Sequence, residues 1–190
     1  MYCYDVDEEI KLSMLIDHDA ERLFTITDQS RKYLREWLPW VDQTKTIKDS
    51  QAFIQLNSQM YLDRTGLTAG IFYKNELVGV AGFNRIDWEN KIGYIGYWLA
   101  SDYQNRGIMT RVVHALIDYA FHHYDLNRID IRTATENKKS QAIPKRLGFT
   151  NEGTIRQAEW LYDHFVDHFV YGLLKNEWNP SSKKQIFPGK

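Results

Sequence analysis

A single cysteine, Cys3, stands in a chain of 190 residues, so no internal disulfide can form and a reducing compartment is the natural setting. No apolar run approaches the roughly 20 residues that a membrane helix needs. The N-terminus, Met1-Tyr2-Cys3-Tyr4-Asp5-Val6-Asp7-Glu8-Glu9, is acidic and lacks the basic start and apolar core of a signal peptide. There is no surplus of charge of either sign: 24 Lys and Arg against 25 Asp and Glu give −1, without the basic excess that nucleic-acid binders use. These absences imply a soluble, cytoplasmic protein with neither nucleic acid nor membrane as a partner. Repeats, low-complexity tracts and linkers are missing too. What is present is core material, 43% hydrophobic and 14% aromatic residues, enough for one continuous interior. Residues 1–178 therefore read as one domain, and 179–190 as a polar, basic tail expected to fray.

Along the chain, Ile10, Leu12 and Met14 alternate with Lys11 and Ser13, the pattern of a half-buried strand. Asp17 or Asp19 can cap a helix carrying Ala20, Leu23 and Phe24. A second helix is expected over 50–62. Between them, Pro39 keeps Trp37-Leu38-Pro39-Trp40 from being a plain helix. Strands at 67–73 and 77–83 flank a short connection, Lys74-Asn75-Glu76. A third strand over 92–99 contains Gly93 and Gly96, which suit a bulge or a close approach to the backbone. An amphipathic helix carrying Met109, Val112, Val113, Leu116, Ile117 and Ala120 follows, then an alternating strand at 128–135. This strand–helix–strand run implies a right-handed crossover and a locally parallel pair. Asn137 or Ser140 starts a short helix that Gly148 ends, with Pro144 near its start or bending it. A hairpin over 154–161 and 165–174 closes the fold. The order predicts an α/β or α+β domain with a mixed sheet.

The stretch Tyr97-Trp98-Leu99-Ala100-Ser101-Asp102-Tyr103-Gln104-Asn105-Arg106-Gly107-Ile108-Met109 carries the chemistry. A strand ends, the chain turns, and a helix begins at Gly107. Free N–H groups at a helix N-terminus bind phosphate, Gly107 lets an anion reach the backbone, and Arg106 can add charge. A plain turn with a convenient glycine would look the same. No Gly-Lys-Ser/Thr follows, so this is not a nucleotide P-loop. His164 and His168 are four apart, but on a strand, where the helical logic of paired metal ligands fails, and no metal is expected. No serine–histidine–aspartate order or glycine elbow suggests a hydrolase.

The run Gln104-Asn105-Arg106-Gly107-Ile108, preceded by Tyr97-Trp98-Leu99, resembles the coenzyme motif of the Gcn5-related N-acetyltransferase superfamily. That motif commonly ends in Gly or Ala where this chain has Met109. Asn137-Lys138-Lys139-Ser140-Gln141-Ala142, leading to Arg146-Leu147-Gly148-Phe149, is similar to the second motif of one branch, the RimJ/RimL-type ribosomal-protein N-terminal acetyltransferases. Phe83-Asn84-Arg85-Ile86, Ile95-Gly96-Tyr97-Trp98 and Gln157-Ala158-Glu159-Trp160-Leu161 extend the likeness, which spans about residues 12–174. The resemblance implies a mixed sheet, flanked by helices, that splays open at the 92–99 strand. Pantetheine would lie in the gap beside Gly96, paired with backbone groups of Trp98 and Leu99. The amides of Gln104, Asn105, Arg106, Gly107, Ile108 and Met109 would hold the pyrophosphate of acetyl-coenzyme A, and Asn137 its arm. By the same similarity Ser140 donates to the departing thiolate and Glu159 takes the amine's proton. Residue type alone allows Ser140 to be a helix cap and Glu159 an exposed strand carboxylate. Trp37 and Trp40 are either ordinary core or, as the branch suggests, a wall of the acceptor pocket. The implied reaction is direct attack of an amine on the thioester, the acceptor being the N-terminal α-amine of a protein, a ribosomal one for choice. A small amine such as a polyamine or antibiotic, and a non-catalytic coenzyme-binding module, are the alternatives. A homodimer is left open.

Overall fold

The computed structural model describes residues 2–179; apart from Asn179, the tail expected at 179–190 lies outside them. Eight strands form one sheet in the order β1-β2-β3-β4-β5-β6-β8-β7. They are β1 (Cys3–Asp5), β2 (Ile10–Ser13), β3 (Leu67–Tyr73), β4 (Glu76–Asp87), β5 (Ile92–Leu99), β6 (Arg128–Ala134), β7 (Thr150–Leu161) and β8 (His164–Leu174). Five α-helices accompany them: α1 (Ala20–Gln29), α2 (Arg31–Arg35), α3 (Ile47–Leu62), α4 (Ile108–His122) and α5 (Lys138–Arg146). Every pairing is antiparallel except β5 with β6, which α4 connects as the crossover.

The two faces of β5 define the two sides of the molecule. Ile95 and Leu99 join the large core with Ile108, Val112 and Leu116 of α4. Trp98 packs instead on the smaller core that Leu23 and Ile26 of α1 build with Ile54 of α3. Strand alternation therefore puts Tyr97 on the α4 side, and Tyr94 and Gly96 with Trp98 on the α3 side.

Several boundaries differ from the expectation for physical reasons. Helix α3 starts at Ile47, earlier than residue 50, because Thr46 and Asp49 form a capping box; Asp49 Oδ2 accepts from the Thr46 amide at 2.8 Å. Asp19 precedes α1, but its carboxylate accepts from the Ile16 amide at 2.9 Å rather than from the helix. The 74–75 turn is a two-residue hairpin with both residues left-handed (φ 52° and 68°), which matches strand twist and lets β4 begin at Glu76. Strand β1 and helix α2 are too short to leave a periodic signal. Pro144 lies in the second half of α5, not near its start. The ring removes the N–H that would bond the carbonyl of Ser140, and that carbonyl accepts instead from the Tyr97 hydroxyl at 3.0 Å.

Candidate active site

The parallel ladder between β5 and β6 ends where Ile95 faces Ile131. Beyond it β5 stays paired with β4 through Leu99, and β6 with β8 through Ala134, so the sheet opens into a V. A bulge between Phe83 and Arg85 on β4 faces the mouth of the V. There the Asn84 amide lies where a side chain on residue 96 would be: a Cβ on Gly96 would stand 2.1 Å from Asn84 Nδ2. A side chain at 96 would force the end of the Asn84 side chain to swing out of the place it takes against the strand. A cavity of about 1170 Å³ runs through the gap and draws its walls from both faces of the sheet.

At one end of this cavity the chain leaves β5 through a 3₁₀ turn and enters α4. Asn105 (φ 60°) and Gly107 (φ 70°) are left-handed, a conformation that turns successive N–H groups toward one concavity. Among the described residues no acceptor meets the N–H of residues 105–109. A Cβ built on Gly107 would meet nothing within 4 Å, so the loop faces open space. Gln104, Asn105, Gly107, Ile108 and Met109 line the cavity. Arg106 does not: its guanidinium folds back to the Asp102 carbonyl at 2.9 Å and lies 5.3 Å from the Tyr103 ring centre. Orphan donors at a helix start suit a pyrophosphate, and the unpaired strand edge beside them suits an amide chain.

On the α4 side of the gap, Asn137 caps α5, its Oδ1 accepting from the Ser140 amide at 3.0 Å. The capping role open to Ser140 is thus filled by Asn137, and the hydroxyl of Ser140 is free to donate to the Tyr97 oxygen at 3.3 Å. Desolvation pushes the Tyr97 hydroxyl well above the usual phenol range, so it stays protonated and keeps its donor.

Glu159 comes from the other side. Between Ile155 and Glu159 β7 carries extra residues relative to β8, since His168 faces Ile155 and Val166 faces Glu159. Gln157 sits left-handed in this bulge (φ 50°), its amide held by Asp167 Oδ1 at 2.7 Å. The result sets Glu159 Oε2 3.4 Å from His168 Nε2. His168 pairs with Ala134 on the face of β6 that also carries Arg132, the face shared with Tyr94 and Trp98. Ser140 and Glu159 therefore line one cavity from opposite sides of the sheet.

Trp37 and Trp40 are half-buried cavity walls rather than core. Trp40 lies 6.0 Å from the Trp98 ring, and Phe53 and Leu56 of α3 continue the apolar surface, Leu56 being 62% exposed. The Tyr162 hydroxyl at the β7–β8 turn donates to the Leu38 carbonyl at 2.6 Å, strapping the tryptophan segment to the closing hairpin. Sequence reading left Tyr97, His168, Tyr94 and Arg132 without roles. For Tyr97 the signal was there, in strand alternation and the proline four residues after Ser140. For His168 it was not, because the bulge that brings Glu159 to it follows no periodicity.

The described residues contain no helix long and apolar enough to cross a membrane, and no three His, Cys, Asp or Glu groups that could hold a metal ion. The family description "Acetyltransferase (GNAT) domain" matches residues 9–150. The ribosomal-protein-serine acetyltransferase of Escherichia coli (strain K12) is 31% identical over 173 residues, covering 89% of this chain and 94% of the relative. Among solved structures, RimL, the ribosomal L7/L12 alpha-N-protein acetyltransferase in complex with coenzyme A, superposes with a TM-score of 0.89 at 27% identity, over 93% of this chain and 100% of that one. The microcin C7 self immunity acetyltransferase MccE, in complex with acetyl-CoA and AMP, gives 0.86 at 33% identity, over 89% and 94%. The fold is thus shared with proteins solved in complex with coenzyme A or acetyl-CoA, and the chain belongs to the GNAT acetyltransferases, enzymes that move an acetyl group from acetyl-coenzyme A to an amine.

Proposed function

We propose that the acceptor is the α-amine of a protein N-terminus, in the manner named for the ribosomal-protein relatives. The lining of the acceptor side carries this reading. Its only carboxylates among the described residues are Glu159 and Asp130, and Asp130 is tied to Arg128. Arg85 and Arg132 face the same cavity. A polyamine needs several free carboxylates, whereas a peptide needs an open apolar groove and one acceptor for its amine proton.

In the proposed mechanism the free amides of residues 105–109 hold the pyrophosphate, the Gln104 amide being taken by the Ser101 carbonyl, Trp98 and Leu99 pair with pantetheine through their backbones, and Asn137 offers its amide N–H₂ to the coenzyme arm. Glu159, directly or through a water, takes the proton of the attacking amine. Ser140, whose single hydroxyl proton points to the Tyr97 oxygen in the free enzyme, turns it to the sulfur as charge collects there. Tyr97 holds Ser140 from behind and acts through it. Tyr97→Phe is expected to lower kcat by about tenfold, the equivalent of one hydrogen bond of roughly 1.4 kcal/mol. Ser140→Ala should cost at least as much, and the double variant no more than Ser140→Ala alone. Losses that multiply in the double variant would mean that Tyr97 acts independently.

The acceptor is tested by thiol release with peptides beginning in Ser or Ala against spermidine, with mass spectrometry of the product. Trp37→Ala and Trp40→Ala should raise KM for the peptide about three- to tenfold, the loss of part of a buried aromatic contact, while coenzyme affinity holds. Spermidine turning over faster than every peptide would overturn the acceptor reading and leave the coenzyme site standing.

A further inference from the structure

The acceptor face of the sheet carries a feature that the reaction itself does not use. Tyr94 sits on β5 just before the V opens, with the guanidinium carbons of Arg85 and Arg132 at 5.0 and 5.7 Å from its ring centre. Arg85 comes from the β4 bulge, where it faces Tyr94 across the ladder. Arg132 is the first β6 residue beyond the last β5–β6 pair. All three line the cavity.

The acids nearby are already engaged. Asp130 is 6% exposed and pairs with Arg128, which also meets Glu152. Asp87 pairs with Arg85 at 3.2 Å and accepts from Asn90. Arg132 is exposed and has no ion pair among the described residues; its guanidinium lies over the Tyr94 ring. An aromatic face restrains a guanidinium without consuming its five N–H donors, so a fork is left presented to whatever lies in the cavity.

Its place fixes what it can reach. On β6, Arg132 lies two residues before Ala134, which faces His168, and His168 contacts Glu159. Diagonal neighbours across an antiparallel pair are about 7–8 Å apart, and an extended peptide advances about 3.3 Å per residue. With the acceptor's amine at Glu159, a side chain two or three residues along the peptide falls over Arg132. We infer that Arg132, with Arg85 and Tyr94, forms a carboxylate subsite that selects acceptor peptides with Asp or Glu at their second or third position. This rests on the peptide reading of the acceptor, whose charge preference it specifies.

The test compares Ser-Asp-Glu, Ser-Asn-Gln and Ser-Lys-Lys N-termini on otherwise identical peptides, read as kcat/KM. Wild type should favour the acidic peptide over its amide counterpart at least tenfold at low ionic strength, with the ratio shrinking as salt rises. In R85Q/R132Q the ratio should fall to within twofold. R132E should reverse it in favour of the lysine peptide, a gain that simple damage to the fold would not produce. Equal turnover of acidic and amide peptides by wild type, or a preference that survives in R85Q/R132Q, overturns the subsite while leaving the peptide reading intact. Turnover of spermidine but of no peptide overturns both. Stronger competition by AMP than by the acidic peptide overturns the subsite in favour of a phosphate ligand.

Discussion

Glu159→Gln is expected to lower kcat by about 10²–10⁴-fold, the range for loss of a positioned proton acceptor, with coenzyme affinity nearly unchanged. A protein α-amine has a pKa of about 7.7–8.0, so near neutral pH most of it is protonated and unable to attack. Among the described residues Glu159 is the cavity carboxylate without an arginine partner. Its neighbour is His168, at 3.4 Å, which restrains where the carboxylate sits. Glutamine keeps the shape and the His168 contact but cannot accept the proton. The residual rate of the variant should then follow the free-amine fraction of the acceptor alone and rise until the amine is titrated. Single-turnover measurements over a pH series, with bound coenzyme quantified on the same samples, would separate this from weakened binding. A loss below threefold in both Glu159→Gln and Ser140→Ala would remove the pair from the mechanism.

How far the sequence exposes this arrangement depends on which physical rule sets each part. Local rules are legible. Alternation places β5 at 92–99, as found, and the i, i+3, i+4 pattern places α4. The helix start expected at Gly107 is found one residue on, at Ile108, with Gly107 as its left-handed N-cap at φ 70°. Parallel pairing of β5 with β6 follows from the crossover alone. What escapes is set by pairing between distant segments. Nothing local says that the β5–β6 ladder stops at Ile95, that the β7 bulge shifts Glu159 onto His168, or that Arg85 and Arg132 converge on Tyr94. The second motif is a mixed case. Asn137 and Ser140 were both readable as caps, and the contest between them is decided by geometry: the Asn137 oxygen reaches the Ser140 amide. Pro144, expected near the helix start or bending it, lies in the second half of α5 and leaves a carbonyl for Tyr97 to bind.

The other large effect is expected in the coenzyme loop. Acetyl-coenzyme A at 100 times its dissociation constant should stabilise the wild-type fold by about 2.7 kcal/mol, which for a chain of this size is roughly 5–10 °C in Tm. Gly107→Asp should abolish that gain. Gly107 faces open space, with nothing within 4 Å of a built Cβ, beside the unpaired amides of residues 105–109. A carboxylate there stands where the pyrophosphate would lie and competes for the same donors. The substitution also has a cost unrelated to the coenzyme, because φ 70° disfavours any side chain, by about 1–2 kcal/mol in general and less for Asp and Asn. Gly107→Asn carries nearly the same backbone strain without the charge, so it is the proper reference. Both variants should melt earlier than wild type by similar amounts without ligand. Only Gly107→Asn should then regain part of the shift when acetyl-coenzyme A is added. An undiminished shift in Gly107→Asp would place the pyrophosphate elsewhere, and equal losses in the two variants would mean that backbone shape rather than charge governs the loop.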